Sequence, residues 1–399
     1  MTRAKTRKVL RAILATPEVI RARPSLNMFM LRYLRKFRIR DIGGNLIVHS
    51  HLPPLNSAAY RRFIREHLLG RSHGPSHAQI GLTNACPQKC SYCYNRGRKG
   101  ALLDKSTIMK AVQDLKDMGV FWLGWTGGEP LLNEDIVEIT EKAAESCAVK
   151  LFTTGCTLTK ALASDLHQAG LFSASISLDH WKADEHDRAR GYAGAYRTAL
   201  RAIEIFKSLE GLHVGVSAVL SLEMIQRGQA EEFLRFLIRL GVDEAWLSEM
   251  KPSLALSSEE SRVITEEDRL MLVRLQDKYN REGKITVNYL AHFEGREHFG
   301  CNAGHKMVFI DPFGEVGPCV FAPLTFGNIR ERSVRDIFAD MKKLFPSENR
   351  CFVNANFDLF RKFSAGEAPI SREKTLELMK EVRFEHLAEF FKLYYHQRP

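Results

Sequence analysis

Cys86, Cys90 and Cys93 fall within eight residues, spaced Cys-x3-Cys-x2-Cys, directly after the apolar run His77 to Leu82. Thiols this close in sequence are too tight for a disulfide framework and form a nest of soft metal ligands. Three thiolates from one short loop suit a [4Fe–4S] cube: they hold three irons and leave the fourth open to an exogenous ligand. A structural zinc site is normally closed by four ligands, and this loop has no fourth Cys or His, so zinc is the weaker alternative. A chance grouping of buried cysteines is weaker still. Some thirty residues on, Gly127-Gly128-Glu129-Pro130 follows the apolar stretch FWLGWT. Two glycines let the backbone turn sharply and approach a ligand, and Pro130 fixes the exit direction. Backbone carbonyls and the Glu129 carboxylate could then accept hydrogen bonds from an ammonium group. The plain alternative is an ordinary strand-to-helix turn.

Taken together, CPQKCSYC and GGEP resemble the radical S-adenosylmethionine (SAM) superfamily. The resemblance implies that the open iron chelates the amino and carboxylate groups of SAM. An electron from the cluster would then cleave SAM to a 5′-deoxyadenosyl radical that takes hydrogen from a C–H bond, with the protein holding and aiming the radical. It also implies roles at matching positions. Tyr92 would pack on the adenine. Thr153 and Thr154, ending the third strand, and Ser175, Ser177 and Asp179, ending the fourth, would supply polar groups for ribose or carboxylate. Arg190 in HDRARG would meet the SAM carboxylate. Against these stand generic loop packing for Tyr92 and a surface salt bridge for Arg190. Ser217 and Glu249 belong at the same mouth, where structural roles are at least as well supported.

A second set, Cys301-x12-Gly314-x4-Cys319, sits in GCNAGHKMVFIDPFGEVGPC, and Cys351 is the only later cysteine. The pattern resembles the opening of the SPASM/twitch extension of radical SAM enzymes, in which a hairpin with Gly at its turn brings two thiolates to one auxiliary [4Fe–4S] cluster. The remaining cysteine run of a full SPASM module is absent. The expectation is therefore one auxiliary cluster, held by Cys301, Cys319, Cys351 and a fourth ligand among His305, a core cysteine, water or substrate. Structural zinc or unligated buried cysteines are the alternatives. Cys147, read as lying in a helix, and Cys156, after the third strand, are expected to be small buried side chains. No segment suggests a cobalamin module.

These residues need a scaffold that gathers strand ends. QIGLT, VFWLGWT, VKLFTTG, SASISLD, HVGVSAVL and EAWLSEM alternate with helical segments such as TIMKAVQDLKDMG and EDIVEITEKAAESC, a pattern of parallel βαβ units. Six such units match the partial (β/α)6, TIM-like barrel of the radical SAM family, an α/β fold with its functional groups at the C-terminal strand ends. Three regions are expected: a basic accessory segment over 1–75, the radical SAM core over 76–290, and a SPASM/twitch-like domain with C-terminal helices over 291–399. In the accessory segment IRDIGGNLIVHSHLPP reads as a hairpin with Gly43-Gly44-Asn45 at its turn, followed by the helix AAYRRFIREHLL.

The formal net charge of +11 is concentrated at the start. Residues 1–41 carry Arg3, Lys5, Arg7, Lys8, Arg11, Arg21, Arg23, Arg32, Arg35, Lys36, Arg38 and Arg40 against Glu18 and Asp41. Val9, Leu10, Ile13 and Leu14, then Met28, Phe29, Leu31, Leu34 and Phe37, recur among them at roughly helical spacing. This reads as basic amphipathic helices, serving as a lid packed on the barrel, as a contact with an anionic membrane surface, or as a dock for a peptide or nucleic acid. No secretory signal and no span of membrane length is read from the chain, and eight cysteines without an export signal point to the reducing cytoplasm, with peripheral contact at the inner membrane face through residues 1–41. The expected substrate is a small molecule, lipid or peptide, and the expected electron donor a flavodoxin or ferredoxin. An RNA-modifying or RNA-binding protein is disfavoured because no aromatic-interleaved RNA module accompanies the charge. A metal-binding scaffold without catalysis is the other alternative.

Overall fold

A computed structural model describes residues 16–70, 72–251, 253, 264–290, 298–364, 368–384 and 387–395. The cations Arg3 to Arg11 and the apolar residues Val9 to Leu14 lie outside the described residues.

Strands β1 (Arg40–Ile42) and β2 (Asn45–Ile47) form the N-terminal hairpin. Ile42 pairs with Asn45, so the turn is Gly43-Gly44 alone, and Asn45 belongs to the strand. Both glycines have positive φ, 54° and 86°, as a two-residue turn matched to strand twist requires. Helix α1 (Pro24–Arg35) precedes the hairpin and buries Leu26, Phe29, Met30 and Tyr33, spaced i, i+3, i+4, i+7. Met28 and Leu31, expected on the apolar stripe, face out instead. Helix α2 (Ala58–Arg62) follows, capped by Ser57 and continued by a π turn over Phe63–Leu68.

The central sheet holds β3 (His77–Thr83), β4 (Trp122–Gly127), β5 (Ala148–Thr153), β6 (Leu171–Ser177), β7 (His213–Leu220) and β8 (Glu244–Glu249), parallel and in sequence order, as the six expected units require. Outward residues such as Ala78, Ile80, Leu123, Trp125, Val149 and Leu151 pack under the connecting helices. Among those helices, α3 (Lys105–Asp117) presents Ile108, Ala111, Val112 and Leu115 and is capped by Asp104. The sheet exceeds the six units at both edges. β9 (Thr286–Tyr289) adds to β8, and β10 (Met307–Ile310) pairs parallel with β3 while its hairpin partner β11 (Val316–Gly317) forms the rim. The sheet thus runs across the boundary expected near 290.

A second hydrophobic cluster joins α1, α2, the starts of β4 and β5 (Phe121, Trp122, Ala148) and a C-terminal helix (Glu389–Tyr395) through Phe390, Phe391 and Tyr394. The accessory segment therefore closes the N-terminal end of the barrel. Trp122 Nε1 donates to Ser50 O at 2.8 Å, fixing this closure.

Candidate active site

The cysteine loop leaves β3 and is held by its neighbours' backbone. Gly128 N–H donates to Thr83 O and Glu129 N–H to Ala85 O, both at 2.7 Å. A Cβ on Gly128 would lie 2.2 Å from the Ala85 carbonyl oxygen, so the glycine is needed for contact with the residue preceding Cys86. Gly127 has φ 120°, and its Cβ would meet Thr83 O at 2.4 Å. On the other side Lys89 N–H donates to Arg190 O at 2.9 Å. Arg190 ends the helix Ala183–Arg190, and Gly191, left-handed with φ 56°, lets the loop pass close by. Cys86 is exposed, Cys90 buried and Cys93 half-buried. Although Cys86 is exposed as a residue, loss of hydration at its sulfur within the loop pushes the thiol up to about 11, and burial raises Cys90, so metal binding here must displace protons.

The Glu129 carboxylate is fully buried and has four donors of its own. Leu131 N–H (3.1 Å) and Thr153 Oγ1 (2.6 Å) donate to Oε1, while Thr154 N–H (2.7 Å) and Thr154 Oγ1 donate to Oε2. All its lone-pair directions are taken within the chain, so Glu129 ties the GGEP turn to the end of β5. Burial still raises its pKa against these bonds.

Arg190 is no surface salt-bridge residue. Its Nη2 donates to Asp179 Oδ1 at 2.7 Å in a pair whose side chains are 8% and 5% exposed. Val219 N–H donates to the same oxygen at 2.9 Å, and Tyr92 O–H donates to Oδ2. Arg190 also lies over the Tyr92 ring, 5.7 Å from its centroid, and its buried Nε has no hydrogen-bond partner among the described residues.

The second cysteine set is built on the β10–β11 hairpin. Gly314 occupies its turn with φ 93°, and Asp311 Oδ1 accepts the N–H groups of Phe313 and Glu315. Arg98, just beyond the first cysteine loop, pairs with Asp311 Oδ2 at 2.9 Å, both side chains essentially inaccessible. Cys301 N–H donates to Glu348 O at 2.6 Å, and Cys351 caps the short helix Phe352–Ala355. Lys251 Nζ stands 3.3 Å from Cys351 Sγ and 2.9 Å from Glu249 Oε1, which also accepts from Asn354 Nδ2. Glu249 is thus a buried link between β8 and the C-terminal cysteine.

All six candidate ligand cysteines, Cys86, Cys90, Cys93, Cys301, Cys319 and Cys351, line one cavity of about 560 Å³. Tyr92, Gly127, Gly128, Thr153, Thr154, Ser177, Arg190, Ser217 and Glu249 line it too. Glu129, Pro130 and Ser175 stand behind the wall. His305 does not reach it: Nδ1 meets Phe345 O at 3.0 Å and Nε2 meets Tyr395 Oη, so both ring nitrogens are engaged away from the cysteines. Cys147 lies in the turn after the helix Ile136–Ala144 rather than within it, buried with its Sγ 3.2 Å from Val120 O; Cys156 is half-buried. Sequence reasoning missed Lys251, Asn354, the Arg98–Asp311 pair, and two further lining residues, Gln79 and Tyr94, the latter hydrogen-bonded to Thr126 Oγ1. Strand alternation alone marks Gln79 as facing inward.

Residues 80–242 match the radical SAM superfamily, and residues 301–353 match an iron–sulfur cluster-binding domain, SPASM. The chain is a radical SAM enzyme with a SPASM domain. It is 26% identical over 300 residues to an AdoMet-dependent heme synthase from Methanosarcina barkeri, spanning 68% of this chain and 84% of that protein. A PqqA peptide cyclase from Methylocella silvestris is 25% identical over 278 residues, 64% of this chain and 72% of the relative. In fold it resembles Streptococcus suis SuiB bound to S-adenosylmethionine, with TM-score 0.57, 17% identity, and coverage of 75% and 77% of the two chains.

The radical SAM donor set fits the structure around it. Three thiols of one loop face a cavity beside a glycine turn, and three more face the same space from the SPASM segment. Among the described residues no three His, Cys, Asp or Glu side chains converge on a single ion, and a cluster does not ask for that, since each thiolate takes its own iron. When bound, the [4Fe–4S] cluster and SAM supply reductive cleavage and a radical able to take hydrogen. The chain's own part is to hold the loop against the GGEP turn and to wall the reacting space.

Proposed function

We propose that this enzyme abstracts hydrogen from a C–H bond of a substrate in peptide maturation or another biosynthetic route. Cys86, Cys90 and Cys93 hold the SAM cluster, and Cys301, Cys319 and Cys351 hold one auxiliary [4Fe–4S] cluster. The observation that carries the reading is that both cysteine sets, the glycine turn and Arg190 line one cavity. Similarity to a PqqA peptide cyclase supports a peptide substrate. In this reading Tyr92, Thr153, Ser177 and Arg190 contact SAM, whereas Glu129, Pro130 and Ser175 position that wall. The test is anaerobic reconstitution with iron, sulfide and dithionite. Iron consistent with two clusters and release of 5′-deoxyadenosine are expected, with about half the iron and all cleavage lost on replacing Cys86, Cys90 and Cys93 by Ala. Zinc in place of iron, or cleavage surviving the triple change, overturns the proposal.

A small reduced electron carrier such as a flavodoxin or ferredoxin would supply the electron. Peripheral contact with an anionic lipid surface is favoured by the outer face of the accessory segment. Ile20 is 71% and Met28 53% exposed there, beside the exposed Arg21, Arg23, Arg32 and Arg35. Among the described residues no helix is long and apolar enough to cross a membrane. Because α1 is part of the second core, the informative variant is Ile20→Asp with Met28→Asp rather than a deletion. Unchanged sedimentation with anionic vesicles at low salt would remove the membrane reading.

A further inference from the structure

The cysteines, the glycine turn and Arg190 occupy one end of the cavity. The other end lies inside the barrel and has no role in the chemistry described above. Its wall is made by inward side chains of four strands, His77 and Gln79 from β3, Trp122 from β4, Phe152 from β5 and Trp246 from β8, with His51 entering from the accessory segment. The His51 ring stacks on Trp122 at 4.7 Å and 17°, with its centroid 3.5 Å from that of Trp246. Phe152 meets Trp246 edge to face at 5.9 Å. Gly124 lies opposite Gln79 in register, and a Cβ there would come within 2.8 Å of the Trp122 ring and 3.1 Å of Gln79 Cγ. The missing side chain lets the indole and the amide share the interior.

Charge and hydrogen bonding narrow what this space could accept. Among the described residues that line the cavity, the one carboxylate is Glu249, already paired with Lys251 at the cysteine end. The nearest cation to the aromatic wall, Lys150, lies beneath the rings of Phe152 and Trp246, at 4.6 and 4.1 Å from their centroids. Its Nζ donates to Ser50 Oγ, which in turn donates to Glu244, and Lys150 takes no part in the lining. Burial keeps His51 and His77 neutral. A cationic guest would therefore lose its hydration without gaining a counterion, and the one cation lining this end among the described residues, Lys306, is turned to His67 and to the Ser72 and Gly74 carbonyls. One polar demand remains. Gln79 is 7% exposed, lines the cavity, and its buried Oε1 has no hydrogen-bond partner among the described residues. A buried acceptor of this kind calls for a donor.

We infer that this end of the cavity binds a flat, uncharged aromatic group carrying a hydroxyl, a phenol, against the rings of Trp122, Phe152 and Trp246, with the hydroxyl donating to Gln79 Oε1. The inference rests on the radical SAM reading of the same cavity and adds the chemical class of what enters it. A phenol reaches such a site either as a tyrosine side chain of a peptide or as a free small molecule.

The test is equilibrium dialysis of the anaerobically reconstituted full-length enzyme, with SAM present, against p-cresol, toluene, benzylamine and N-acetyl-tyrosinamide. The expected result is p-cresol binding at least about tenfold tighter than benzylamine, the gap an unpaired charge imposes. Gln79→Leu should weaken p-cresol about fivefold, to the level of toluene, and leave toluene unchanged, the size of one buried hydrogen bond. Binding of N-acetyl-tyrosinamide with the same dependence on Gln79 supports the inference with a peptide-borne ring. Its exclusion while p-cresol binds supports it with a free aromatic. No binding of p-cresol, equal binding of benzylamine, or indifference to Gln79→Leu overturns it. If Gln79→Leu does not fold, Gln79→Met is the replacement variant, judged by its iron content. Cleavage of SAM is measured in the same preparation. Cleavage without p-cresol binding sinks this inference alone, and p-cresol binding without cleavage sinks the radical SAM assignment of the site alone.

Discussion

Replacing Glu129 by Gln separates a brace from a SAM ligand. The four donors to the carboxylate come as two pairs, one backbone N–H and one hydroxyl on each oxygen. The hydroxyls of Thr153 and Thr154 rotate; the N–H groups of Leu131 and Thr154 do not. Whichever way the carboxamide is flipped, its NH2 group faces one of these fixed donors, 3.1 Å away at Leu131 or 2.7 Å at Thr154. One charge-assisted bond is lost, and a buried N–H is left facing another donor. Each such loss costs about 1.5–3 kcal/mol, so Glu129→Gln should destabilise the fold by about 3 kcal/mol. With an m-value of about 3 kcal/mol/M, the urea midpoint falls by about 1 M. The assay is anaerobic urea unfolding of variant and parent, paired with SAM binding to the cluster-loaded proteins. A midpoint within about 0.3 M of the parent, together with a tenfold or greater loss of SAM affinity, would refute the reasoning. It would put the carboxylate in contact with the SAM amine.

Gly128→Val should disrupt the cysteine loop as well as SAM binding, because its Cβ meets the Ala85 carbonyl oxygen at 2.2 Å; iron content well below the parent's is expected, and full iron content would contradict this. Asp179→Asn leaves Arg190 buried beside a neutral group, and breaking such a pair costs about 3–5 kcal/mol, read as a lower unfolding midpoint; Asp179→Asn with Arg190→Met should recover part of that loss. Acid should destabilise the protein through its buried histidines. Burial lowers His49 and His305 to about 3, and His77 and His186 to about 4, from 6.5. A depressed folded pKa gives stability that is present above 6.5 and is lost as pH falls toward the folded value. By pH 5.5 each buried histidine should cost on the order of 1.4 kcal/mol, so unfolding midpoints should drop steeply between pH 7 and 5.5, and a flat profile would exclude this set.

The barrel was legible because apolar strand runs, buried on both faces, alternate with helices that each carry an apolar stripe, and local rules suffice for both. The Gly43-Gly44 turn and Gly314 were legible for the same reason, since positive φ at these sites asks for glycine. The edges were not. β10 pairs with β3 across some 230 residues, and nothing in MVFI says which edge it will join. Met28 and Leu31 keep helical spacing yet face out, because the second core accepts the stripe through Leu26, Phe29, Met30 and Tyr33 instead. At the site, cysteine spacing named six candidate ligands that line one cavity, but the direction of a side chain is a tertiary fact. Glu129, read as an acceptor for an ammonium, is consumed by Thr153 and Thr154. His305, read among the candidate fourth ligands, is held by Phe345 and Tyr395.

The two cysteine sets are mechanically joined, and this bears on how the enzyme works. Parallel pairing of β10 with β3 places the SPASM hairpin on the strand that delivers the first cysteine loop. The buried Arg98–Asp311 pair then ties the far side of that loop to the hairpin turn. A buried pair of this kind is weak support for stability, since desolvation offsets most of its attraction, but removing one partner leaves a charge without compensation. Its consequence is geometric: a shift of the hairpin is transmitted to Arg98 and hence to the loop carrying Cys93. From the opposite wall, Glu249 and Lys251 connect β8 to Cys351. The cavity is therefore clamped at both edges of the open barrel by the C-terminal segment. Changes at Cys301, Cys319 or Cys351 should accordingly be read through the first loop as well as through the auxiliary site.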